Sequence, residues 1–209
     1  MNKRVVPIRE AIKFGWENAK KNIIFFLKVF GILVLIGIAP QAINYLWQDQ
    51  PIFLVVILSI VLGVVRLITD LGLLKISLDF ADSKTPTFAT LFLYTNWRTL
   101  LNFLAAGFLY NIIVAIGLIL LVVPGIYFAI RFQYFGYLIA DKNLGPIQAF
   151  KESTQLTVGV KWGLFKFGFL LGLINILGFL ALIVGLILTI PTSMVANGYM
   201  FRKLQRDTA

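Results

Sequence analysis

Thr99–Ile130 reads TLLNFLAAGFLYNIIVAIGLILLVVPGIYFAI, thirty-two residues without a charge. As one helix it would be about 48 Å long, whereas bilayer hydrocarbon is about 30 Å thick. The stretch must therefore turn, and Pro124-Gly125 is the predicted break. It yields two crossings, about 100–123 and a short, aromatic-rich 126–140. Phe167–Phe201 poses the same problem with thirty-five charge-free residues. Folding back near Asn175–Gly178 gives spans of about 162–177 and 179–200.

Toward the N-terminus, a span of about 23–43 is closed by Pro40 and Gln48-Asp49-Gln50-Pro51. The next, about 52–70, continues as helix through Arg66, Asp70, Lys75 and Asp79 to Asp82. Residues 1–209 thus read as a single all-α domain, a polytopic membrane bundle of six transmembrane helices. Composition agrees: 59% of residues are apolar and 13% charged, against roughly 45–50% and 25% in soluble domains.

Charge placement tests the count. Even-numbered crossings put both chain ends on one side, with the segments around 82–99 and 141–161. That side receives Lys3, Arg4, Arg9, Lys13, Lys20 and Lys21, then Lys75, Lys84 and Arg98. Lys142, Lys151, Lys161, Arg202, Lys203 and Arg206 complete fifteen of the nineteen basic residues. The opposite turns carry only Asp49. The positive-inside rule then predicts both termini in the cytoplasm. No cleavage site follows the first apolar run, so no removed signal peptide is expected.

Residues 1–22 precede the first span, and within them Ile8, Ala11, Ile12, Gly15, Trp16 and Ala19 follow helical spacing, with basic residues on the opposite face. This predicts a cytoplasmic amphipathic helix in the headgroup plane. Pro86–Trp97 and Pro146–Thr157 occupy equivalent places before later spans, which gives three hairpins, each led by a short interfacial helix. Pro146 suits the first position of such a helix. Gly159, Gly163, Gly168 and Gly172 offer small-residue pairs for close helix packing, within the chain or across a homodimer seam.

Within the spans, Arg66–Asp70 and Lys75–Asp79 are i, i+4 pairs and read as a charge-laced helix end. Arg131 differs. It lies about 9 Å beyond the Pro124-Gly125 turn, with Asp70 and Asp141 expected near the opposite surface. Asn111, Gln133, Asn175 and Thr189 are expected at comparable depth. An arginine among neutral amides suits an anionic oxygen of a lipid phosphate or carried solute. Snorkelling, or capping carbonyls at the Pro-Gly break, is the competing reading.

Two stretches resemble a known family. LILLVVPGIYFAIR (Leu118–Arg131) resembles the signature hairpin of the glycerophosphodiester phosphodiesterase membrane domain and its prokaryotic relatives. DKNLGPIQAFKESTQLTVGVKWGLF (Asp141–Phe165) is similar to the connection that follows it there, and REAIKFGWENAKKN (Arg9–Asn22) and PTFATLF (Pro86–Phe92) fit the same pattern. The resemblance implies a six-helix protein of a prokaryotic plasma membrane. The soluble phosphodiesterase domain of some relatives has no counterpart here, so its activity is not expected.

Histidine and cysteine are absent, no span pairs carboxylates and no Gly-rich phosphate loop occurs, which argues against catalysis and against any cofactor or metal. Ser153 and Thr154 read as surface or packing residues. The expected role is non-catalytic engagement of membrane lipid, above all anionic phospholipid, by a chain of net charge +10. Nucleic acid is not an expected partner. A small transporter for an anionic solute is the alternative, and a separately encoded protein partner is compatible with both.

Overall fold

The computed structural model describes residues 5–46, 51–92, 96–181 and 185–208; the expectations for Lys3, Arg4 and Gln48–Gln50 fall outside them. All regular structure among the described residues is helical. Nine α-helices follow in order: α1 (Ile8–Lys21), α2 (Ile23–Leu46), α3 (Ile52–Ala81), α4 (Trp97–Leu120), α5 (Val122–Phe132), α6 (Phe135–Lys142), α7 (Pro146–Thr157), α8 (Lys161–Leu180) and α9 (Leu186–Arg206). Among the described residues, five segments are long and apolar enough to cross a membrane: the α2 stretch Ile23–Ile43, α3, α4, α5 with α6 (Val122–Lys142), and α8. Their outer faces are unpaired and apolar, with Ile119 83% and Ile52 81% exposed. Surfaces of that kind are stable against lipid and not against water.

The sixth predicted crossing falls on α9, which is not among the five. Thr189, Thr192, Ser193 and Asn197 lower its apolar content, yet it is the central helix, touching α1, α2, α3 and α8. Three of these four side chains are absorbed by its own backbone: Thr192 donates to the Leu188 carbonyl, Ser193 to Thr189 and Asn197 to Ser193, at 2.7–2.9 Å. Such bonds offset most of the desolvation cost of burying a polar helix; the buried Thr189 hydroxyl has no partner among the described residues.

Packing explains the other departures. α2 continues past Pro40 to Leu46, because proline removes one hydrogen bond and apolar surroundings offer the backbone no substitute for the rest. The break after α4 comes at Leu121, in extended conformation (φ −163°, ψ 145°), so Pro124 falls inside the first turn of α5. Its missing N–H costs nothing there. Gly125 instead lies against Gly117, where a β-carbon on Gly117 would stand 2.9 Å from the Gly125 Cα. Likewise α8 runs through Asn175 and Gly178 to Leu180, since Gly178 serves as the contact point for Gly185 and Thr189 rather than as a turn.

The small-residue series behaves differently from expectation. Gly168 and Gly172 have open space where a side chain would project, among the described residues. Gly163 admits the Val6 side chain, 2.5 Å from where a β-carbon would stand, and close helix approach occurs on α1, whose buried stripe Ala11, Gly15 and Ala19 packs along α9. Of the three pre-span segments, the first and third are helices, and the described residues of the second hold a 3-10 turn, Phe88–Leu91, closed by reciprocal Thr87–Thr90 contacts. That turn docks on Gly72 of α3. α3 reaches Ala81 as predicted, capped by Asp82, and Pro146 does occupy the start of α7.

Candidate functional site

The predicted fourth crossing is split. α5 ends at Phe132 and α6 begins at Phe135, and α7 supplies the bonds lost at the break. Ser153 Oγ donates to the Arg131 carbonyl (3.0 Å) and accepts from the Tyr134 amide (3.2 Å), while Thr157 Oγ1 donates to the same carbonyl (3.4 Å). Ser153 and Thr157 are fully buried. Of the two expected readings, Ser153 takes the packing one, and with Thr157 it replaces the i→i−4 bonds that an unbroken helix would make. Phe150 packs its ring on Phe132 and Phe135, which lays α7 back along α6 and the end of α5.

Arg131 sits at this junction. Its Nε donates to Thr154 Oγ1 at 3.1 Å, and its guanidinium lies 5.3 Å from the Phe132 ring centre. One turn earlier on α5, Tyr127 carries the Lys161 ammonium over its ring at 5.0 Å. Residues i and i+4 share a helix face, so Arg131 and Lys161 bring two cations to one side of α5. Neither makes an ion pair among the described residues, where the ion pairs are Lys13–Glu17, Lys142–Glu152 and those of Arg202.

The neutral residues expected beside Arg131 do not assemble there. Asn111 is exposed on α4 and donates to the carbonyl of Gly107 in its own helix (2.8 Å). Asn175 and Thr189 join instead between α8 and α9, where the Asn175 amide donates to Ser193 Oγ at 3.0 Å. Gln133 alone is near, inside the α5–α6 break, and its buried Nε2 lacks a partner, as does the buried hydroxyl of Tyr134. Sequence spacing gave comparable depths but could not give the helix faces.

Asp70 is not brought to Arg131 either. Arg202 ties Asp82, at the end of α3, to Asp141, near the end of α6. Along α3, Asp70 lies twelve residues, roughly 18 Å, before the Asp82 end of that tie. Asp70 and Arg131 stand on separate helices, α3 and α5, and α3 packs on α6. Arg66 and Asp70 form no direct ion pair among the described residues, and Asp79 lies on the last turns of α3. Lys75 faces the small crevice between α3, Leu91 and Thr99.

The dominant charged group is one the sequence presented only as a tail cation. Arg202 donates from Nε and Nη2 to Asp82 (2.9 and 2.8 Å), from Nη1 and Nη2 to Asp141 (2.6 and 2.8 Å), and from Nη1 to Gln205 (2.9 Å). All five guanidinium N–H groups are engaged. Burial alone would lower its pKa, but the bonds to Asp141 and Asp82 outweigh that and hold it above the usual arginine value. The Asp141–Pro146 connection adds a left-handed Asn143 (φ 54°), whose side chain accepts from Thr99 Oγ1 at 2.6 Å. Its residues are thus explained by anchoring α4, α6 and α9 together.

No protein-family profile matches this chain, and no solved structure matches it significantly. It is similar to uncharacterized protein Rv2560 of Mycobacterium tuberculosis, 34% identical over 134 residues, which is 64% of this chain and 40% of that protein. Uncharacterized protein Mb2590 of Mycobacterium bovis matches to the same extent. The matched region is therefore about two fifths of the length of these curated relatives.

Proposed function

We propose that this is a non-catalytic, six-span protein of a prokaryotic plasma membrane, with both termini cytoplasmic, that binds anionic phospholipid at Arg131. The observation that carries the reading is the unpaired guanidinium: one N–H goes to Thr154, and Lys161 adds a second cation on the same face of α5. A cation at helix mid-height is costly unless something anionic meets it. A lipid phosphate offers oxygens that the planar guanidinium can engage in pairs. The sixth crossing is α9, whose Thr192, Ser193 and Asn197 side chains bond to its own backbone and whose central place shields it from lipid. The resemblance to a membrane domain that can stand apart from its phosphodiesterase agrees with a binding role.

A second reading, a transporter for an anionic solute, is favoured by one observation. The break between α5 and α6 lies two residues from Arg131 and leaves Gln133 and Tyr134 polar atoms unpartnered, and interrupted spans mark binding sites in transporters. Reconstituted vesicles separate the two. Phosphatidylglycerol retained by the wild type and lost from Arg131→Gln, without anion flux, supports lipid binding; Arg131-dependent flux makes it a transporter.

Topology has its own test, since the chain contains no cysteine to obscure a label. Membrane-impermeant maleimide added to intact cells is expected to label Leu121→Cys, at the exposed α4–α5 turn, and to leave Lys84→Cys unlabelled until the membrane is opened. The reverse pattern would invert the protein, and labelling of both would contradict the span count.

A further inference from the structure

Two cavities meet along α1. One, of about 770 Å³, lies where Ile23 and Leu27 of α2 face Leu177 and Gly178 of α8 and Gly185 and Thr189 at the start of α9. The other, of about 800 Å³, follows the α1–α8 seam past Ile12 and Leu170 and ends at Arg9 and Lys13. Trp16 and Ile174 line both, which joins them into one furrow. We propose that this furrow holds the acyl chain of an anionic phospholipid whose phosphate meets Arg9 and Lys13. The inference rests on the lipid-binding reading above but uses none of the Arg131 residues.

Two features point to that occupant. The furrow is apolar along its length and cationic at one mouth, which is the polarity of a lipid and not of a soluble ligand. The mouth is free to engage: Arg9 has no ion pair among the described residues, and Lys13 has only an exposed 3.8 Å contact with Glu17. Such a surface pair contributes little and is easily exchanged for a phosphate.

The test uses the full chain in bilayers of phosphatidylcholine and phosphatidylglycerol, the latter bearing a photoactivatable diazirine on one acyl chain, with adducts mapped by peptide mass spectrometry. Labelling is expected to concentrate on the peptides containing Trp16, Leu27 and Ile174. The double variant Arg9→Glu with Lys13→Glu, at two exposed positions, should reduce it by at least about tenfold. Labelling around Ile119 and Leu120, on the general lipid face, should not change. Arg131→Gln should leave furrow labelling intact, so a failure of the Arg131 site and a failure of the furrow are read separately. Even labelling over all apolar faces, or furrow labelling unmoved by the double variant, would overturn the proposal. Protein–protein adducts at these residues would also overturn it, because a second copy would then occupy the furrow.

Discussion

Arg202→Ala is expected to cost about 3 kcal/mol of stability, the lower end of the range for breaking a buried ion pair. The side chains of Arg202, Asp82 and Asp141 are 17%, 24% and 16% exposed. Removing the cation leaves two carboxylates facing each other with little water to screen them, so the loss exceeds the value of either bond alone. Because the group joins α3, α6 and α9, the variant should lose cooperativity as well as melting temperature. Arg202→Lys should recover only part of the loss, since one ammonium cannot fork onto both carboxylates. Thermal unfolding in detergent, followed by circular dichroism, reads both effects. A variant melting with the wild type would mean that the tie does not hold the three helices.

Gly15→Val should release α1 from α9. A β-carbon at this position would stand 2.3 Å from the Thr192 carbonyl oxygen and 3.0 Å from the Ala196 side chain, on a neighbouring helix with little room to move. Overpacking of this kind costs roughly 1–3 kcal/mol when the surroundings can relax. Here the easier response is for α1 to lift off, exposing the Ala11–Gly15–Ala19 stripe. Helix propensity works in the opposite direction, since valine is a better helix former than glycine. A destabilised variant therefore isolates the packing term. Limited trypsin digestion should cut after Lys13, Lys20 or Lys21 in the variant at concentrations that spare the wild type; equal resistance would show that α1 is not seated on α9 through Gly15.

The class of fold was legible because hydrophobic runs longer than a bilayer is thick admit few arrangements, and Thr99–Ile130 with its missing charges forces a turn. Where the turns fall was less legible. Pro124, Gly125 and Gly178 were read as breaks, yet each is accommodated inside a helix, the proline in a first turn and the glycines at close contacts. Local sequence cannot distinguish a glycine that bends the chain from one that admits a neighbour. The break that matters for the site, at Gln133–Tyr134, has no proline or glycine in it and is held by hydroxyls of α7. Its signal lay in the Ser153-Thr154 and Thr157 spacing, uninformative until α7 is known to lie against α5.

Arg131 was singled out as a candidate from charge and depth alone, and the structure places Thr154 and Lys161 beside it. Asn111, Asn175 and Thr189 were grouped with it by depth and belong elsewhere, because depth along a helix leaves the direction of a side chain undetermined. Arg202 was missed for the opposite reason. In a chain with nine acidic residues, two converge on one arginine from helices that are distant in sequence, and only tertiary structure brings Asp82 and Asp141 together.

The most direct test of the account is native mass spectrometry of protein extracted gently from bilayers containing phosphatidylglycerol, comparing the wild type with Arg131→Gln and Arg131→Lys. Glutamine can keep the contact with Thr154 while removing the charge, and lysine keeps the charge without the planar fork. The account predicts phosphatidylglycerol adducts on the wild type, weaker adducts on the lysine variant, and loss on the glutamine variant of the adduct held at this site. Identical adduct patterns in all three proteins, with melting temperatures unchanged, would contradict it and leave Arg131 as a structural residue that holds α5 to α7.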